Sequence, residues 1–210
     1  MKKRRLIVLD VDSTLIENEV IELLAKCAGT LDRVAKITDR AMRGELDFSA
    51  SLKERVATLE GLPESIFDEV RQEIVVTQGV PRLIEETHVA GGWVGVVSGG
   101  FHEVLDPLAR QLNLDFWKAN RLEIKDGKLT GRVSANIVDA KAKAEALMDW
   151  AREKSIPLSD TVAIGDGAND LEMMAVAGLS IAFNAKPVVR EKAKVCVDQR
   201  DMSLVLDYLD

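Results

Sequence analysis

Short, continuous apolar runs recur along the chain. Residues 6–9 form the first, Leu-Ile-Val-Leu, and charged residues flank it on both sides. Such a run is typical of a strand buried on both faces of a parallel sheet. Similar runs follow at residues 94–97, 161–164 and 179–183, and the first three each end in a small or acidic polar cluster followed by a helical pattern. This alternation predicts an α/β fold: a doubly wound, Rossmann-like parallel sheet with ligands beyond the carboxyl ends of its strands.

The stretch between the first two runs has a different pattern. Its periodicity is helical throughout, and we predict four helices: residues 20–28, 32–44, 48–60 and 64–73. A crossover between neighbouring parallel strands needs far fewer residues. We therefore predict a small helical insert, residues 16–76, placed after the first strand. The α/β core would then consist of residues 1–15 and 77–210.

Asp126 and Gly127 form a strong turn signal. Apolar residues alternate on both sides of this pair within residues 121–133, which is typical of two short antiparallel strands joined by a tight turn. The pattern predicts a β-hairpin attached to the core.

Charge limits the classes of function. The chain has 28 basic and 35 acidic residues, a net charge of −7. Such a balance argues against a general nucleic-acid-binding surface, so we expect no nucleic-acid partner. An anionic substrate would need positive charge concentrated at one site by a metal ion, a lysine or helix N-termini.

Cysteine content and the N-terminal segment bear on location. Cys27 and Cys196 lack metal-ligand spacing, and we expect both to be buried free thiols. The first apolar run reaches Asp10 within a few residues, which is too short for a signal peptide or a membrane span. We therefore expect a cytoplasmic protein with no membrane partner. The sequence leaves open whether it is a monomer or a homodimer.

The first cluster with chemical potential is Asp10-Val11-Asp12-Ser13-Thr14, directly after the first run. Two carboxylates at i and i+2 around a bend can converge on one cation. A carboxylate can also attack phosphorus when a metal offsets the repulsion between the two anions. Taken alone, the same residues fit a solvated acidic turn in which Ser13 or Thr14 caps a helix.

Two further clusters are weaker when taken alone. Ser98-Gly99-Gly100 lies between a predicted strand and a helix, where a hydroxyl and glycine amides can cradle an anion. A tight turn that needs glycine explains the same pattern. Lys143 lies in a predicted helix and would ordinarily be a surface residue, with Lys141 as a close competitor for any role in a site.

The segment from Gly165 to Asp170 follows the strand predicted at residues 161–164. Its sequence, Gly-Asp-Gly-Ala-Asn-Asp, places two acids and an amide within one turn at the start of a helix. These are hard oxygen ligands of the kind that suits Mg²⁺. The alternative is a helix cap with a favourably placed acid.

Together and in this order, the clusters resemble the haloacid dehalogenase superfamily of phosphotransferases over essentially the whole chain. The four signatures of that superfamily match Asp10-x-Asp12-x-Thr14, Ser98, Lys143 and Gly165-Asp166-Gly167-x-Asn169-Asp170. Within it, the chain is most similar to the phosphoserine phosphatase family, through residues 10–15, 41–48, 97–101, 119–120 and 126–131 together with Glu19, Ser51, Leu52, Arg55 and Val56. The helical insert then resembles the cap of that family.

The resemblance implies Mg²⁺-dependent hydrolysis of O-phospho-L-serine through an aspartyl-phosphate, the last step of serine biosynthesis. Asp10 would be the nucleophile, and Asp12 would protonate the leaving group and then activate water. Mg²⁺ would be held by the Asp10 carboxylate, the backbone carbonyl of Asp12 and Asp166.

The resemblance also implies how the substrate is bound. Ser98, the Gly99 amide, Lys143 and Asn169 would bind the phosphate, and Asp170 would orient Lys143 or a metal-bound water. In the insert, Glu19 would meet the substrate ammonium and Arg55 its carboxylate, with Met42 and Phe48 closing the pocket. By periodicity alone, Glu19 and Arg55 would be exposed helix charges.

Other functions remain open at this point. An enzyme of the same architecture would transfer the phosphoryl group to a small alcohol such as homoserine, or hydrolyse another small phosphomonoester. A receiver-like phosphoacceptor module is the non-enzymatic alternative, but it would have no use for Asp12. His88 and His102 match no signature, and we expect structural or surface roles for both.

Overall fold

The computed structural model describes residues 3–43, 45–134 and 136–209. Within them lie eight strands: β1 (Leu6–Leu9), β2 (Trp93–Phe101), β3 (Phe116–Asn120), β4 (Leu122–Lys125), β5 (Lys128–Val133), β6 (Thr161–Gly165), β7 (Leu179–Phe183) and β8 (Val195–Val197). Six of them form one parallel sheet in the order β3-β2-β1-β6-β7-β8. The strands on either side of β1 belong to different halves of the chain, so the order reverses there.

Outside the insert, the described helices alternate with the six strands of the parallel sheet. Their bounds are α1 (Val20–Cys27), α2 (Leu31–Met42), α3 (Phe48–Ala57), α4 (Ile66–Glu73), α5 (Val80–Val89), α6 (His102–Gln111), α7 (Ala140–Glu153), α8 (Leu171–Val176) and α9 (Pro187–Arg190). The four helices predicted between residues 20 and 73 are all present. None of the described helices is long and apolar enough to cross a bilayer.

The sheet is covered on both faces. Every residue of β1 is buried: Ile7 and Leu9 belong to the core that includes α5 and α6, whereas Leu6 and Val8 belong to the core that includes α7 and α8. A strand buried in this way must be apolar at every position. The predicted doubly wound α/β fold is therefore confirmed.

Two strands of the sheet were not predicted. β3 and β8 lie at its two edges, and several of their residues are only partly buried. An edge strand has no need of a continuous apolar run, and β3 contains Lys118. The cysteines also differ from expectation, because Cys27 and Cys196 are only partly buried.

The two connections to the helical insert run side by side. Ile16 and Val76 form an isolated antiparallel bridge, and the Glu17 N–H donates to the Val75 carbonyl at 2.8 Å. The Asn18 side chain spans both connections, donating to the Glu73 carbonyl at 3.2 Å and accepting from the Val75 N–H at 2.8 Å. The insert therefore begins and ends at the carboxyl end of β1.

The predicted hairpin is confirmed, and its turn has the expected geometry. Asp126 and Gly127 have φ values of 51° and 73°, as a type I′ turn requires. The hairpin contacts the insert as well as the core: the Leu129 N–H donates to the Leu62 carbonyl at 2.9 Å, and the Leu129 carbonyl accepts from the Gly61 N–H at 2.9 Å. The link between α3 and α4 is thus bonded to β5.

Helix α7 approaches β2 so closely that glycine is required at position 95. A Cβ there would lie 2.9 Å from the Trp150 ring and 3.1 Å from the Phe116 Cβ, and the two rings stack with centroids 5.2 Å apart.

We expect Gly95→Ala to lower the free energy of unfolding by about 1–3 kcal/mol, because the Trp150 ring must shift. Denaturant unfolding measures the change.

A double-mutant cycle tests the assigned contact. In a Trp150→Leu background, Gly95→Ala should reduce stability much less than it does in the original chain, because the ring that it would meet is gone. An equal loss of stability in both backgrounds would contradict the contact.

Candidate active site

The polar clusters after β1, β2 and β6 meet at one edge of the sheet. The Asp10 N–H donates to the Ile164 carbonyl at 2.9 Å, which joins the ends of β1 and β6. The chain then makes a wide turn in which Leu15 N–H returns to the Asp10 carbonyl at 3.3 Å. Ser13 has a φ of 58° within this turn, a left-handed conformation that is uncommon for serine. Asp12 and Ser13 therefore interrupt the helical conformation of residues 11–15.

A buried lysine connects two of the acidic clusters. Lys143 is fully buried, and its Nζ lies 2.6 Å from Asp10 Oδ1 and 2.8 Å from Asp170 Oδ1. Burial lowers the pKa of Lys143, but the two carboxylates outweigh this effect and the net pKa is raised. The competing Lys141 has a 77% exposed side chain and faces Glu145 at 3.7 Å. The structure therefore brings Lys143 into the site and leaves Lys141 on the surface.

Asp170 also fixes the loop that contains Asp166. Its Oδ2 accepts hydrogen bonds from the Asp166 N–H at 3.2 Å and the Gly167 N–H at 3.1 Å. A Cβ at Gly165 would lie 2.3 Å from this oxygen, so only glycine leaves room for the carboxylate. Both oxygens of Asp170 are thus engaged, one by the lysine and one by the loop.

Three acidic side chains surround Lys143: Asp10, Asp166 and Asp170. One carboxylate oxygen from each of Asp10, Asp166 and Asp170 lies within 4.8 Å of the others. Burial, with Asp170 adding to it and Lys143 opposing it, raises the pKa of Asp10 to about 7. Burial and Asp170 likewise raise the pKa of Asp166 to about 6. A cluster with this excess of hard oxygen atoms is suited to a divalent cation.

Asp12 lies between the acidic cluster and the insert. Its Oδ1 accepts from the Val20 N–H at 3.3 Å, at the start of α1. Burial raises the pKa of Asp12 well above its usual value, with further contributions from Glu19 and Asp10. Ser13 Oγ donates to Glu19 Oε1 at 2.7 Å, so the turn after β1 also holds Glu19.

Arg55 interacts electrostatically with the same acids. It is partly buried, and its Nε donates to the Ser51 carbonyl at 3.3 Å. Burial lowers the pKa of Arg55, whereas the negative charges of Glu19 and Asp12 oppose that change. Glu19 and Arg55 are therefore not simply solvated helix charges, which was the alternative that periodicity favoured.

The Ser98 cluster lies beside Asp12, but its backbone differs from the prediction. Residues 98–101 continue β2 after a register shift, and α6 begins at His102. The predicted anion cradle would thus be formed by the end of a strand and not by a helix N-terminus. Glycine permits this path, because a Cβ at Gly100 would lie 3.2 Å from Asp12 Oδ2 and one at Gly99 would lie 2.8 Å from the Phe48 ring. Phe48, from α3, therefore covers Gly99.

Two predicted site residues remain, Asn169 and Met42. Asn169 is partly buried in the turn before Asp170, with its Oδ1 close to Gly167, and no described contact joins it to Asp10. The side chain of Met42 lies outside the described residues.

The two histidines belong to hydrogen-bond networks away from the acidic cluster. His88 Nε2 lies 2.8 Å from Asp115 Oδ2. His102 Nδ1 lies 2.6 Å from Asp106 Oδ1, and its Nε2 accepts from the Ala119 N–H at 3.1 Å. These contacts support the expected structural roles.

Asn120 is a site residue to which the sequence assigned no role. Its side chain is buried at the end of β3 and donates to the Gly99 carbonyl at 2.8 Å. Asn120 lies in one of the segments that carry the family resemblance, residues 119–120. Its hydrogen-bond partners are backbone atoms, so no pattern of residue types in the sequence indicates its role.

Comparisons with known proteins identify the family of this chain. Residues 7–175 match the family model of haloacid dehalogenase-like hydrolases. The phosphoserine phosphatase of Lactococcus lactis subsp. lactis (strain IL1403) is 49% identical over 210 residues, covering 100% of this chain and 97% of that relative. A solved phospho-aspartyl intermediate analogue of phosphoserine phosphatase is 45% identical with a TM-score of 0.93, and a solved substrate-bound phosphoserine phosphatase complex is 44% identical with a TM-score of 0.94. Both structures cover 100% of this chain and are covered to 100% by it.

The matched model spans most of the chain, and the relative from Lactococcus lactis matches it from end to end. The chain belongs to the haloacid dehalogenase-like hydrolase family.

Proposed function

We propose that this protein is a phosphoserine phosphatase, which hydrolyses O-phospho-L-serine to L-serine and phosphate through an aspartyl-phosphate at Asp10, as the last step of serine biosynthesis. The observation that carries the proposal is the state of the Asp10 carboxylate. Its Oδ1 is held by the Lys143 ammonium and by the Val11 N–H at 2.8 Å. No described residue hydrogen-bonds its Oδ2, which is left to attack phosphorus. The relatives' activity supports this assignment.

Two carboxylic acids divide the chemistry. Asp10 Oδ2 attacks phosphorus in line, and the P–O bond to the serine oxygen breaks as Asp12 gives that oxygen its proton. Asp12 then takes a proton from water, whose oxygen attacks the aspartyl-phosphate and releases phosphate and Asp10. The raised pKa of Asp12 supports this role, because the acid must hold its proton near neutral pH before the first step.

The donor set fits Mg²⁺. Asp166, whose carboxylate no described residue hydrogen-bonds, would hold the ion with Asp10 and the backbone carbonyl of Asp12. Asp170 is the other member of the cluster, but both of its oxygens already accept hydrogen bonds, and its role is to hold Lys143 and the Asp166 loop. Mg²⁺ would supply the positive charge that offsets repulsion between a carboxylate and the phosphoryl oxygens.

Phosphate binding is assigned to Ser98, the Gly99 N–H, Lys143 and Asn169. Lys143 is already fixed at the site by two carboxylates. A fixed donor stabilises the charge that develops on phosphoryl oxygens without having to reorganise during the reaction.

We assign the serine end of the substrate to a cap made of residues 16–76, above a core of residues 1–15 and 77–210. Glu19 would bind the ammonium and Arg55 the carboxylate, with Phe48 and Met42 closing the pocket. The hydrogen bond between Ser13 and Glu19 and the electrostatic interaction of Arg55 with Glu19 and Asp12 support this assignment. For a biosynthetic step of this kind we propose the cytoplasm as the location.

The primary test is release of phosphate from L-phosphoserine with Mg²⁺. We expect turnover that is abolished by EDTA and reduced about 10³-fold or more by Asp10→Asn, because the variant lacks the nucleophile. Asp149→Asn is the matched control, since this acid is 65% exposed and pairs only with Arg152 among the described residues. Metal-dependent turnover that survives Asp10→Asn would overturn the mechanism, and phosphoryl transfer to added homoserine in preference to water would replace hydrolysis with transfer.

A second test concerns recognition of the serine end. We expect Arg55→Ala to lower kcat/KM for L-phosphoserine about 10–100-fold, because a charge-assisted pair contributes about 1.5–3 kcal/mol. The same variant should leave kcat/KM for O-phosphoethanolamine, which lacks the carboxylate, nearly unchanged. Arg40→Ala is the control, since Arg40 pairs with Glu54 within the cap. An equal loss with both substrates would remove Arg55 from carboxylate recognition.

A third test links stability to metal and pH. The pKa values of Asp166 and Asp10, about 6 and about 7, lie above the ordinary value of 3.8. These acids therefore favour the fold below about pH 4, and that contribution is lost as the pH rises through 6 to 7. In EDTA at pH 8 we expect Asp166→Asn to raise Tm by roughly 2–6 °C, with the gain shrinking toward pH 5.

Added Mg²⁺ should make the original chain more stable than Asp166→Asn at pH 8. It should raise the Tm of the original chain and have little effect on Asp166→Asn, because only the former keeps the ligand. Asp149→Asn again serves as the control. Equal stabilisation of both proteins by Mg²⁺ would place the ion elsewhere.

A further inference from the structure

The buried Asn120 side chain is hydrogen-bonded at both ends. It is 1% exposed, its Nδ2 donates to the Gly99 carbonyl at 2.8 Å, and its Oδ1 accepts from the Val138 N–H at 2.8 Å. These two partners fix which end of the amide is nitrogen and which is oxygen. Asn120 therefore joins the Ser98–Gly100 segment to the segment that leads into α7.

The bond to Gly99 reaches Ser98 through a single peptide group. The Gly99 carbonyl and the Gly100 N–H belong to the same peptide, and that N–H donates to Ser98 Oγ at 2.7 Å. The hydroxyl thus accepts from the backbone, which leaves its own hydrogen to be donated elsewhere. Hydrogen bonds in such a chain polarise one another, so the Asn120 bond orients the peptide and favours Ser98 as a donor.

The hydrogen bond from Val138 connects Asn120 to the start of α7, the helix that contains Lys143. Val138 directly precedes Asp139, which caps α7 by accepting from the Ala142 N–H at 2.9 Å. The N–H of Lys143 donates to the Asp139 carbonyl at 3.0 Å in the first turn of that helix. One buried amide therefore fixes the Ser98 segment relative to the start of the helix that carries Lys143.

We propose that Asn120 is a positioning residue for phosphoryl transfer: it directs the Ser98 hydroxyl toward the phosphoryl oxygens and sets the spacing between Ser98 and Lys143. The inference rests on the proposed function, in which these two side chains bind the phosphoryl group. A purely structural asparagine would satisfy the same two backbone groups, but its loss would act only through the amount of folded protein.

The discriminating variant is Asn120→Asp, which has nearly the same shape. An ionised carboxyl at position 120 can accept from the Val138 N–H but cannot donate to the Gly99 carbonyl, whereas the protonated carboxyl can do both. Activity relative to the original chain should therefore be restored as the pH falls. Asn120→Ala, which cannot donate at any pH, should show a constant deficit.

The experiment measures kcat and KM for L-phosphoserine with Mg²⁺ between pH 5.5 and 8.5. At pH 8.5 we expect Asn120→Asp to lower kcat about 10–100-fold with little change in KM, and to approach the original chain at pH 5.5. Ser180→Ala is the matched control: Ser180 is also buried and accepts a backbone N–H, from Lys194 at 3.0 Å, but it lies outside the site. It should lower Tm without changing kcat.

A second readout is independent of turnover. Inorganic phosphate with Mg²⁺ should raise the Tm of the original chain and of Ser180→Ala, but raise that of Asn120→Ala much less. If L-phosphoserine is not hydrolysed and this difference persists, the proposed function fails and the role of Asn120 stands. A kcat for folded Asn120→Asp within twofold of the original at pH 8.5, or equal phosphate stabilisation of all three proteins, would overturn the proposal.

Discussion

The arrangement of the site depends on one buried cation. Lys143 has no exposed side-chain surface and lies within 2.8 Å of two carboxylates that come from different parts of the chain. Removing an ammonium and two carboxylates from water is unfavourable, and only close pairing offsets it. The ion pairs therefore require α7, the end of β1 and the loop after β6 to keep fixed positions. The same contacts gather three carboxylates, Asp10, Asp166 and Asp170, around a single lysine, and this cluster could hold a metal ion.

Glycines allow this density of charged groups. At Gly165 the space that a Cβ would fill is taken by the Asp170 carboxylate, and at Gly100 it is next to Asp12. At Gly99 it is taken by the Phe48 ring, which brings the helical insert onto the end of β2. The glycines of the two predicted clusters are thus required by packing. They let the backbone lie against functional side chains without a gap.

The sequence predicts the parts of the fold that burial dictates and misses those that depend on pairwise bonds. β1, β2, β6 and β7 lie inside the sheet and must be apolar, whereas β3 and β8 lie at its edges and carry no such pattern. The Asp-Gly turn predicts the hairpin. The hydrogen bonds between the hairpin and residues 61–62 join backbone atoms, so the residue types do not predict them. The motifs predict that Asp10, Asp12, Lys143 and Asp170 lie near one another, and hydrogen bonds join Asp10, Lys143 and Asp170; the roles of these residues stay predictions. The role of Asn120 is not predicted, because its partners are a backbone carbonyl and a backbone N–H, which almost any residue supplies.

The two ends of the site differ in what holds them. The side chains proposed to bind the phosphoryl group are held by the core: Lys143 by two carboxylates, and the Ser98 segment by Asn120. Glu19 instead follows the turn after β1 and is held by Ser13. Arg55 and Phe48 belong to α3 in the insert, which is joined to the rest of the chain by the paired connections around Asn18 and by the hydrogen bonds between residues 61–62 and Leu129 of the hairpin. A displacement of the insert would therefore remove Arg55 and the cover over Gly99 together, while the phosphoryl donors keep their geometry. In the proposed enzyme, substrate recognition would therefore depend on the position of the insert, whereas the order of the acidic cluster and of Lys143 would not.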